Sequence, residues 1–159
     1  MYKENYNLKG KMAFITGGGR GIGLCSADAL AEAGANIVIS DIDEKLLEEG
    51  MSFLRSKNYQ VQEFLLNVAN FSATEEIADQ VDDKLGPVDI LVANAGIAGP
   101  NTPAEKMTDE AWQRILDINL NGVFWSCRAF GKRMVERQHG AIVAVGSFLA
   151  SFPTNLKSK

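Results

Sequence analysis

The stretch Thr16-Gly17-Gly18-Gly19-Arg20-Gly21-Ile22-Gly23 constrains this chain more than any other. It follows a short apolar run, Met12 to Ile15, and precedes a helical pattern, so it predicts a strand, a turn and a helix in that order. Glycines at such a turn leave backbone N–H groups open to phosphate oxygens, and the positive end of the helix dipole favours the same charge. We therefore expect a nucleotide diphosphate here. The alternative is that the glycines serve only a tight turn.

The rest of the chain repeats the alternation of strand and helix. Apolar runs predict strands over 12–16, 36–40, 60–66, 89–93 and 141–145. Helical patterns lie between them, and Asp43, Ser72 and Thr108 are expected to cap the second, third and fourth helices, the last running to about Arg137. Alternating strands and helices pair in parallel through right-handed crossovers. The sequence therefore predicts an α/β fold, a doubly wound parallel sheet. Among the orders that such sheets adopt, we expect the Rossmann-like one, with strand order 3-2-1-4-5.

Composition and charge limit the classes of protein that fit this chain. Its 159 residues, 46% hydrophobic and 23% charged, predict one domain over 1–159. A net charge of −4 gives no reason to expect nucleic acid or an anionic membrane as a partner. No apolar stretch approaches the length of a membrane span, and the N-terminus lacks the apolar core of a signal peptide, so we expect a cytoplasmic protein.

Some reactive or charged residues are expected to be structural. Cys25 and Cys127 are too few and too far apart for a disulfide framework and have no clustered histidine, so we expect packing roles and no metal site. His139, in a turn, is expected at the surface. Four basic residues recur at helical spacing and favour a solvated helix face: Arg128, Lys132, Arg133 and Arg137.

Several motifs occur in order along the chain and resemble the short-chain dehydrogenase/reductase family. The turn Thr16 to Gly23 is similar to the family's Thr-Gly-x-x-x-Gly-x-Gly and differs from the common Gly-x-Gly-x-x-Gly fingerprint. Asn67-Val68 is similar to the family's Asp-Val, and 93–96 to its Asn-Asn-Ala-Gly. The resemblance implies that a dinucleotide contacts these positions: Gly17, Gly19, Arg20, Gly21, Ile22, Gly23, Asp41, Ile42, Asn67, Val68, Asn94, Ala95 and Gly96.

Asp41 ends the second predicted strand, where an acidic side chain accepts hydrogen bonds from the ribose of an adenine dinucleotide. A carboxylate there repels a ribose phosphate, which favours NAD over NADP. Arg20 favours NADP instead, because family members with a basic residue in this turn often bind NADP. We give Asp41 the greater weight and expect NAD. The alternative for Asp41 is a helix cap, a role that Asp43 is also placed to fill.

The resemblance implies roles for individual polar residues. Asn67 would meet the adenine amino group, although the family has aspartate there, and Val68 would pack on the ring. Asn94 would line the nicotinamide ribose, and the alternative is an Asn-Ala-Gly turn without a ligand. Asn119 is similar to the family's active-site asparagine, whose local helix distortion lets backbone carbonyls hold a water. Its alternative is a buried asparagine bonded to neighbouring backbone.

Ser147 follows the last predicted strand and resembles the catalytic serine that orients the substrate oxygen. The family's acid/base is a tyrosine in a Tyr-x-x-x-Lys pair, and proton transfer needs such a group within hydrogen-bond reach. The tyrosines of this sequence are at positions 2, 6 and 59, and neither Lys157 nor Lys159 has a partner tyrosine. We interpret the chain as the first part of a dehydrogenase, incomplete at its C-terminus. The alternative is a catalytically inactive nucleotide-binding fragment.

The segment 124–132 and Gly146-Ser147 are similar to polyol dehydrogenases of this family, which oxidise sugar alcohols such as galactitol, sorbitol or xylitol. The resemblance implies an NAD-dependent oxidoreductase that acts on a small-molecule alcohol or ketone and forms a homo-oligomer when complete. In the present chain the fifth strand would be a sheet edge. Apolar residues of the long helix would lose cover, and we expect marginal stability or self-association as the consequence: Val123, Phe124, Trp125 and Phe130.

Overall fold

A five-stranded parallel sheet forms the centre of the structure, a computed structural model that describes residues 6–147. The strands are β1 (Met12–Thr16), β2 (Asn36–Asp41), β3 (Val61–Leu65), β4 (Ile90–Ala93) and β5 (Ala141–Ala144). They lie in the order β3-β2-β1-β4-β5, and Ala13 on the central strand pairs with both Ile37 and Ile90. The predicted fold class and strand order are confirmed.

Helices cover both faces of this sheet. They are α1 (Gly21–Glu32), α2 (Glu44–Ser56), α3 (Phe71–Lys84), α4 (Asp109–Leu116) and α5 (Gly122–Glu136), with a short 3₁₀ turn at Ala104–Lys106. Successive residues of a strand point to opposite faces, so β1 contributes to two cores. Phe14 packs with residues of α3 and α5, whereas Ala13 and Ile15 pack with residues of α1 and α2.

Side-chain caps determine where the helices begin. Asp43 Oδ1 accepts from the Leu46 N–H at 3.1 Å, which confirms the predicted cap of α2. Thr108 caps α4 in the same way. The prediction that Ser72 caps α3 is wrong, because Asn70 Oδ1 accepts from the Ala73 N–H at 3.1 Å. Asparagine caps as well as serine does, and α3 therefore starts from the earlier residue.

The predicted long helix is interrupted by five π-helical residues, Asp117–Asn121, which separate α4 from α5. Asp117 Oδ1 accepts from Gln113 Nε2 at 2.8 Å and from Asn121 Nδ2 at 3.0 Å. Such single wide turns inside α-helices occur frequently at functional sites. The helix distortion predicted at Asn119 is thus confirmed, and it lies within this segment.

The expectation of a solvated basic face is wrong for Arg133. Only 8% of Arg133 is exposed, and its guanidinium donates to the Ala129 carbonyl and to Asp79. Glu75 Oε2 lies 3.6 Å from Nη1, and Asp82 Oδ2 lies 3.4 Å from Nε. Three carboxylates of α3 therefore face one guanidinium of α5, so burial of the arginine is compensated by charge.

Replacing Arg133 with methionine is expected to destabilise the chain by about 2 kcal/mol, less than the loss of a fully buried ion pair. Methionine keeps an unbranched stem, but it leaves Asp82 without its cation, whereas Glu75 keeps Lys132, whose Nζ lies 2.6 Å from Oε2. The smaller effect is expected because Asp79 is 66% exposed and stays hydrated. Urea unfolding would measure the difference, with Lys45→Met as the control, since Lys45 is 83% exposed and should tolerate the change. Equal midpoints for the two variants would contradict this role of Arg133.

The remaining expectations about surface residues have mixed outcomes. His139 lies at the surface as predicted, with Nε2 2.8 Å from Lys11 Nζ and 3.2 Å from Asp89 Oδ1. Cys127 is half-buried, and desolvation raises the pKa of its thiol. Cys25 is exposed, because its position on α1 faces solvent, and the packing role expected for it is wrong.

The sheet ends at β5 within the described residues, as expected, and Val143 on that strand is 53% exposed. Phe124 on α5 is 55% exposed, in line with the expected loss of cover. The same expectation is wrong for Phe130, which is 1% exposed because its ring packs against Phe14 with centroids 4.5 Å apart. Across residues 6–147, no helix is long and apolar enough to cross a membrane.

Candidate cofactor site

A cleft of about 470 Å³ lies where the strands of the sheet end. The carboxyl ends of parallel strands meet at one edge of a sheet, and ligands of such folds bind there. The glycine turn after β1 and the segments that follow β2, β3 and β4 all reach this cleft. Predicted cofactor residues that line it are Gly17, Arg20, Gly21, Ile22, Asp41, Ile42, Asn67, Val68, Asn94, Ala95 and Gly96.

Four predicted residues lie behind or beside the cleft. Gly19 packs against α2, where a Cβ would stand 2.8 Å from the Leu46 carbonyl, and Gly23 packs against Gly17 within the turn. Asn119 is bonded to the loop after β4. Ser147 follows β5, two residues after Val145, which itself lines the cleft.

The glycine turn has the geometry that a diphosphate requires. Gly17 and Gly21 have φ angles of 62° and 55°, a conformation that glycine adopts readily. A Cβ added at Gly21 would meet no atom within 4 Å, so the turn is open on this side. The helix α1 begins at Gly21, and its first N–H groups have no acceptor within the helix. The turn therefore offers donors and space to an anion.

The carboxylate of Asp41 is held in a fixed position. Its Oδ2 accepts from the Gly19 N–H and its Oδ1 from the Asp43 N–H, both at 3.2 Å. Each oxygen keeps a further lone pair for a ribose hydroxyl. The helix cap of α2 is made by Asp43, so the alternative role for Asp41 as that cap is wrong. Asp41 joins the glycine turn to the end of β2 and lines the cleft.

Thr16, the first residue of the glycine motif, to which the sequence analysis gave no role of its own, fixes two walls of the cleft. Its hydroxyl oxygen accepts from the N–H groups of Asn94 and Ala95, both at 3.0 Å. Asn94 Nδ2 in turn donates to the carbonyls of Thr16 and Gly17, also at 3.0 Å. The signal was a polar residue at the end of an apolar strand, since a buried hydroxyl needs a partner. Asn94 therefore braces the glycine turn in addition to lining the cleft.

The side chains after β3 form another wall. Asn67 Oδ1 accepts from the Ala69 N–H at 3.0 Å, which holds the amide at the cleft. Val68 is 5% exposed and packs against the start of α5, where a Cβ on Gly122 would stand 2.7 Å from Val68 Cγ2. Gly122 thus allows α5 to approach β3 closely. Contact of Asn67 and Val68 with an adenine ring stays a prediction.

The amide of Asn119 connects the π-helical segment to the loop after β4. Its Oδ1 accepts from the Ile97 N–H at 2.8 Å, and its Nδ2 donates to the Ile97 carbonyl at 2.9 Å. The alternative of a buried asparagine is wrong, because Asn119 is exposed, although its amide does bond to backbone. Asn119 therefore holds the backbone of Ile97, which lines the cleft.

The tyrosines of the described residues lie away from this cleft. Tyr6 precedes β1 and is 64% exposed, and Tyr59 precedes β3 and packs on the core beneath α1 and α2. Tyr2, Lys157, Lys159 and the rest of 148–159 fall outside the described residues. Within residues 6–147, no group of histidine, cysteine, aspartate and glutamate side chains is arranged to hold a metal ion.

Comparison with known proteins gives closely related sequences. The chain is 44% identical over 146 residues to galactitol 2-dehydrogenase from Rhizobium johnstonii. The aligned segment covers 92% of this chain and 56% of that relative. It is 37% identical to D-threitol dehydrogenase from Mycolicibacterium smegmatis over 92% of this chain and 56% of that protein. The chain thus spans about half the length of the curated relatives it matches.

A solved structure of gluconate 5-dehydrogenase from Burkholderia cenocepacia, in complex with NADP and tartrate, superposes with a TM-score of 0.88. That match is 33% identical and covers 97% of this chain and 60% of the other. Residues 11–158, nearly the whole sequence, match the short chain dehydrogenase family. Motifs, strand order and relatives agree, and the chain belongs to the short-chain dehydrogenase family of oxidoreductases.

Proposed function

We propose that the chain binds NAD in the cleft and forms part of an oxidoreductase acting on a secondary alcohol or ketone. The observation that supports NAD most directly is the anchored carboxylate of Asp41, which lines the cleft beside the glycine turn. Ribose hydroxyls donate to a carboxylate, whereas a ribose phosphate would place like charges together. Relatives include enzymes solved with NADP, so the choice between cofactors rests on this side chain.

Different residues of the cleft would bind different parts of NAD. The open glycine turn and the start of α1 would hold the diphosphate, and Asn67 and Val68 would contact the adenine. Asn94, Ala95 and Gly96 would line the nicotinamide ribose. When bound, NAD supplies the acceptor or donor of hydride. Ser147, at the end of β5, would orient the substrate oxygen, and Asn119 would fix the loop through Ile97.

The proposed substrate class is a small polyol. Both named relatives act on sugar alcohols by their names, galactitol and D-threitol, and they match nearly the whole chain. A carbinol group is the part that such substrates share with other secondary alcohols. We place the protein in the cytoplasm, where free thiols such as Cys25 and Cys127 stay reduced. A homo-oligomer is proposed for the complete enzyme.

A second candidate is nucleotide binding without turnover by this exact chain. It is favoured by the positions of Tyr6 and Tyr59, since neither lies at the cleft. Proton exchange with a substrate oxygen needs a titratable group within hydrogen-bond distance of that oxygen, about 3 Å, or a group connected to it through one water. An assay of polyol oxidation on a sample that binds NAD separates the two candidates.

Removal of the Asp41 carboxylate is expected to weaken NAD binding and to reduce discrimination against NADP. Hydrogen bonds to a charged group contribute about 1.5–3 kcal/mol, so Asp41→Ala should weaken NAD roughly 10- to 100-fold. Asp41→Asn keeps an acceptor for the Gly19 N–H and should lose mainly the discrimination. Calorimetric titration with both nucleotides measures each effect.

The matched control is Asp83→Ala, because Asp83 is an exposed aspartate near the end of α3. It should bind NAD as the wild type does. Unchanged NAD affinity in Asp41→Ala would contradict the assigned role of this carboxylate. A wild-type chain that is folded but binds neither nucleotide would contradict the proposed function itself.

A further inference from the structure

Arg114 is a cation of the cleft that neither sequence motifs nor the proposed division of roles uses. It lies in the last turn of α4, four residues before Ile118, and residues so spaced share one side of a helix. Arg114 and Ile118 both line the cleft, and they also line an adjoining groove. Ile42 and Asn67 likewise contribute to both spaces. The guanidinium therefore stands at the rim where these two spaces join.

The side chain of Arg114 is available to a ligand. Among the described residues it forms no hydrogen bond and no ion pair, although carboxylates line the same groove. Asp117 accepts instead from Gln113 and Asn121. Glu110 is engaged by its own backbone N–H and by the Thr108 hydroxyl, which lower the pKa of its carboxyl. Two of the three acids that line this groove are thus engaged with other donors, and the third, Asp109, forms no ion pair with Arg114 among the described residues.

We propose that Arg114 stacks on the adenine base of the bound nucleotide and closes that end of the cleft. The inference rests on the proposed function. Ile42, directly after β2, is 60% exposed and offers an apolar wall of the cleft. Arg114 on α4 and Ile118 in the π-helical segment also line the cleft. A planar guanidinium stacks on aromatic rings, and its weak hydration makes this contact favourable.

The proposal distinguishes a base contact from a phosphate contact. A cation near the ribose could instead pair with a 2′-phosphate, which would make Arg114 a determinant for NADP. A stacked arginine contacts AMP and 2′,5′-ADP equally, because both carry the base. A phosphate-binding arginine contributes only to 2′,5′-ADP. Neither contact involves nicotinamide mononucleotide, which lacks adenine.

The test compares the 159-residue chain with its Arg114→Ala and Arg114→Lys variants by titration with NAD, AMP, 2′,5′-ADP and nicotinamide mononucleotide. In Arg114→Ala, affinity for the three adenine ligands should fall by a similar factor, roughly 3- to 30-fold for a cation–π contact. Arg114→Lys keeps the positive charge but lacks the planar guanidinium, so it should restore the affinity only in part. Nicotinamide mononucleotide should bind all three proteins alike.

The control is Arg55→Ala, an exposed arginine in the last turn of α2 that should leave every affinity unchanged. Equal AMP affinity in wild type and Arg114→Ala would overturn the inference, as would a loss confined to 2′,5′-ADP. Weakened mononucleotide binding in Arg114→Ala would also overturn it, since the effect would then not be local to the base. A wild-type chain without nucleotide affinity would instead refute the proposed function.

Discussion

Substitution of Gly23 by alanine is expected to destabilise the chain by about 3 kcal/mol or more and to abolish nucleotide binding. A Cβ at this position would stand 2.1 Å from the Gly17 carbonyl oxygen and 2.6 Å from Asn94 Nδ2. The first of these contacts is with backbone, which a rotamer change cannot relieve. The glycine turn must then move away from α1, and Asn94 loses its place beside Thr16 and Gly17.

The direction of this effect is diagnostic because Gly23 lies in the first turn of α1, where a helix would otherwise tolerate alanine. Alanine in a helix interior is favoured over glycine by about 1 kcal/mol when space allows. Gly131 on α5 provides the matched control, since a Cβ there would meet only Ile142 Cδ1, at 3.4 Å. Gly131→Ala should stabilise the chain and Gly23→Ala should destabilise it. Urea unfolding curves shifted in the same direction would contradict the clash at Gly23.

Replacement of Thr16 by valine is expected to cost about 2–6 kcal/mol, since two donors lose their acceptor and each unsatisfied buried donor costs about 1–3 kcal/mol. Valine fills nearly the same volume but accepts no hydrogen bond. Thr16 is 1% exposed, so no water easily replaces its hydroxyl for the N–H groups of Asn94 and Ala95. The turn after β4 should shift, and NAD affinity should fall with stability.

Thr16→Ser retains the hydroxyl and should recover most of the stability that Thr16→Val loses. A second control is Thr102→Val, because Thr102 is a half-buried residue of the loop after β4 whose hydroxyl forms no hydrogen bond among the described residues, so the change should stay within about 0.5 kcal/mol. Thermal and urea unfolding of the three variants measure the effect. Were valine as stable as serine at position 16, the hydroxyl would not brace the cleft.

Sequence patterns predicted the sheet well because buried parallel strands are short apolar runs with distinct ends. The predicted strand 89–93 differs from β4 only at Asp89, whose carboxylate accepts from the Met12 N–H at 2.9 Å. Most of the positions that line the cleft were also readable, since they lie at or just after the ends of strands. The start of α3 was predicted wrongly, because Asn70, two residues before the predicted cap Ser72, caps the helix in its place.

The errors share one physical origin, which is contact between segments far apart in sequence. The pattern of its own helix predicts that Arg133 is a surface cation, yet contacts with the acids of α3 allow it to be buried. Phe130 was expected to be exposed because the local sequence does not reveal its contact with Phe14. Thr16 and Arg114 gave weak signals because their roles depend on which residues β4 and α4 bring beside them. Local pattern alone contains none of these pairings.

The central place of β1 also bears on the order in which the chain folds. Ala13 pairs with Ile37 and with Ile90, and the second pairing closes a loop about three times as long as the first. Loop-closure entropy makes that longer closure about 1 kcal/mol more costly. Strands β1, β2 and β3 can therefore assemble from near neighbours, while pairing with β4 is the slower, non-local step. Both walls of the nucleotide cleft are in place only after that step is complete.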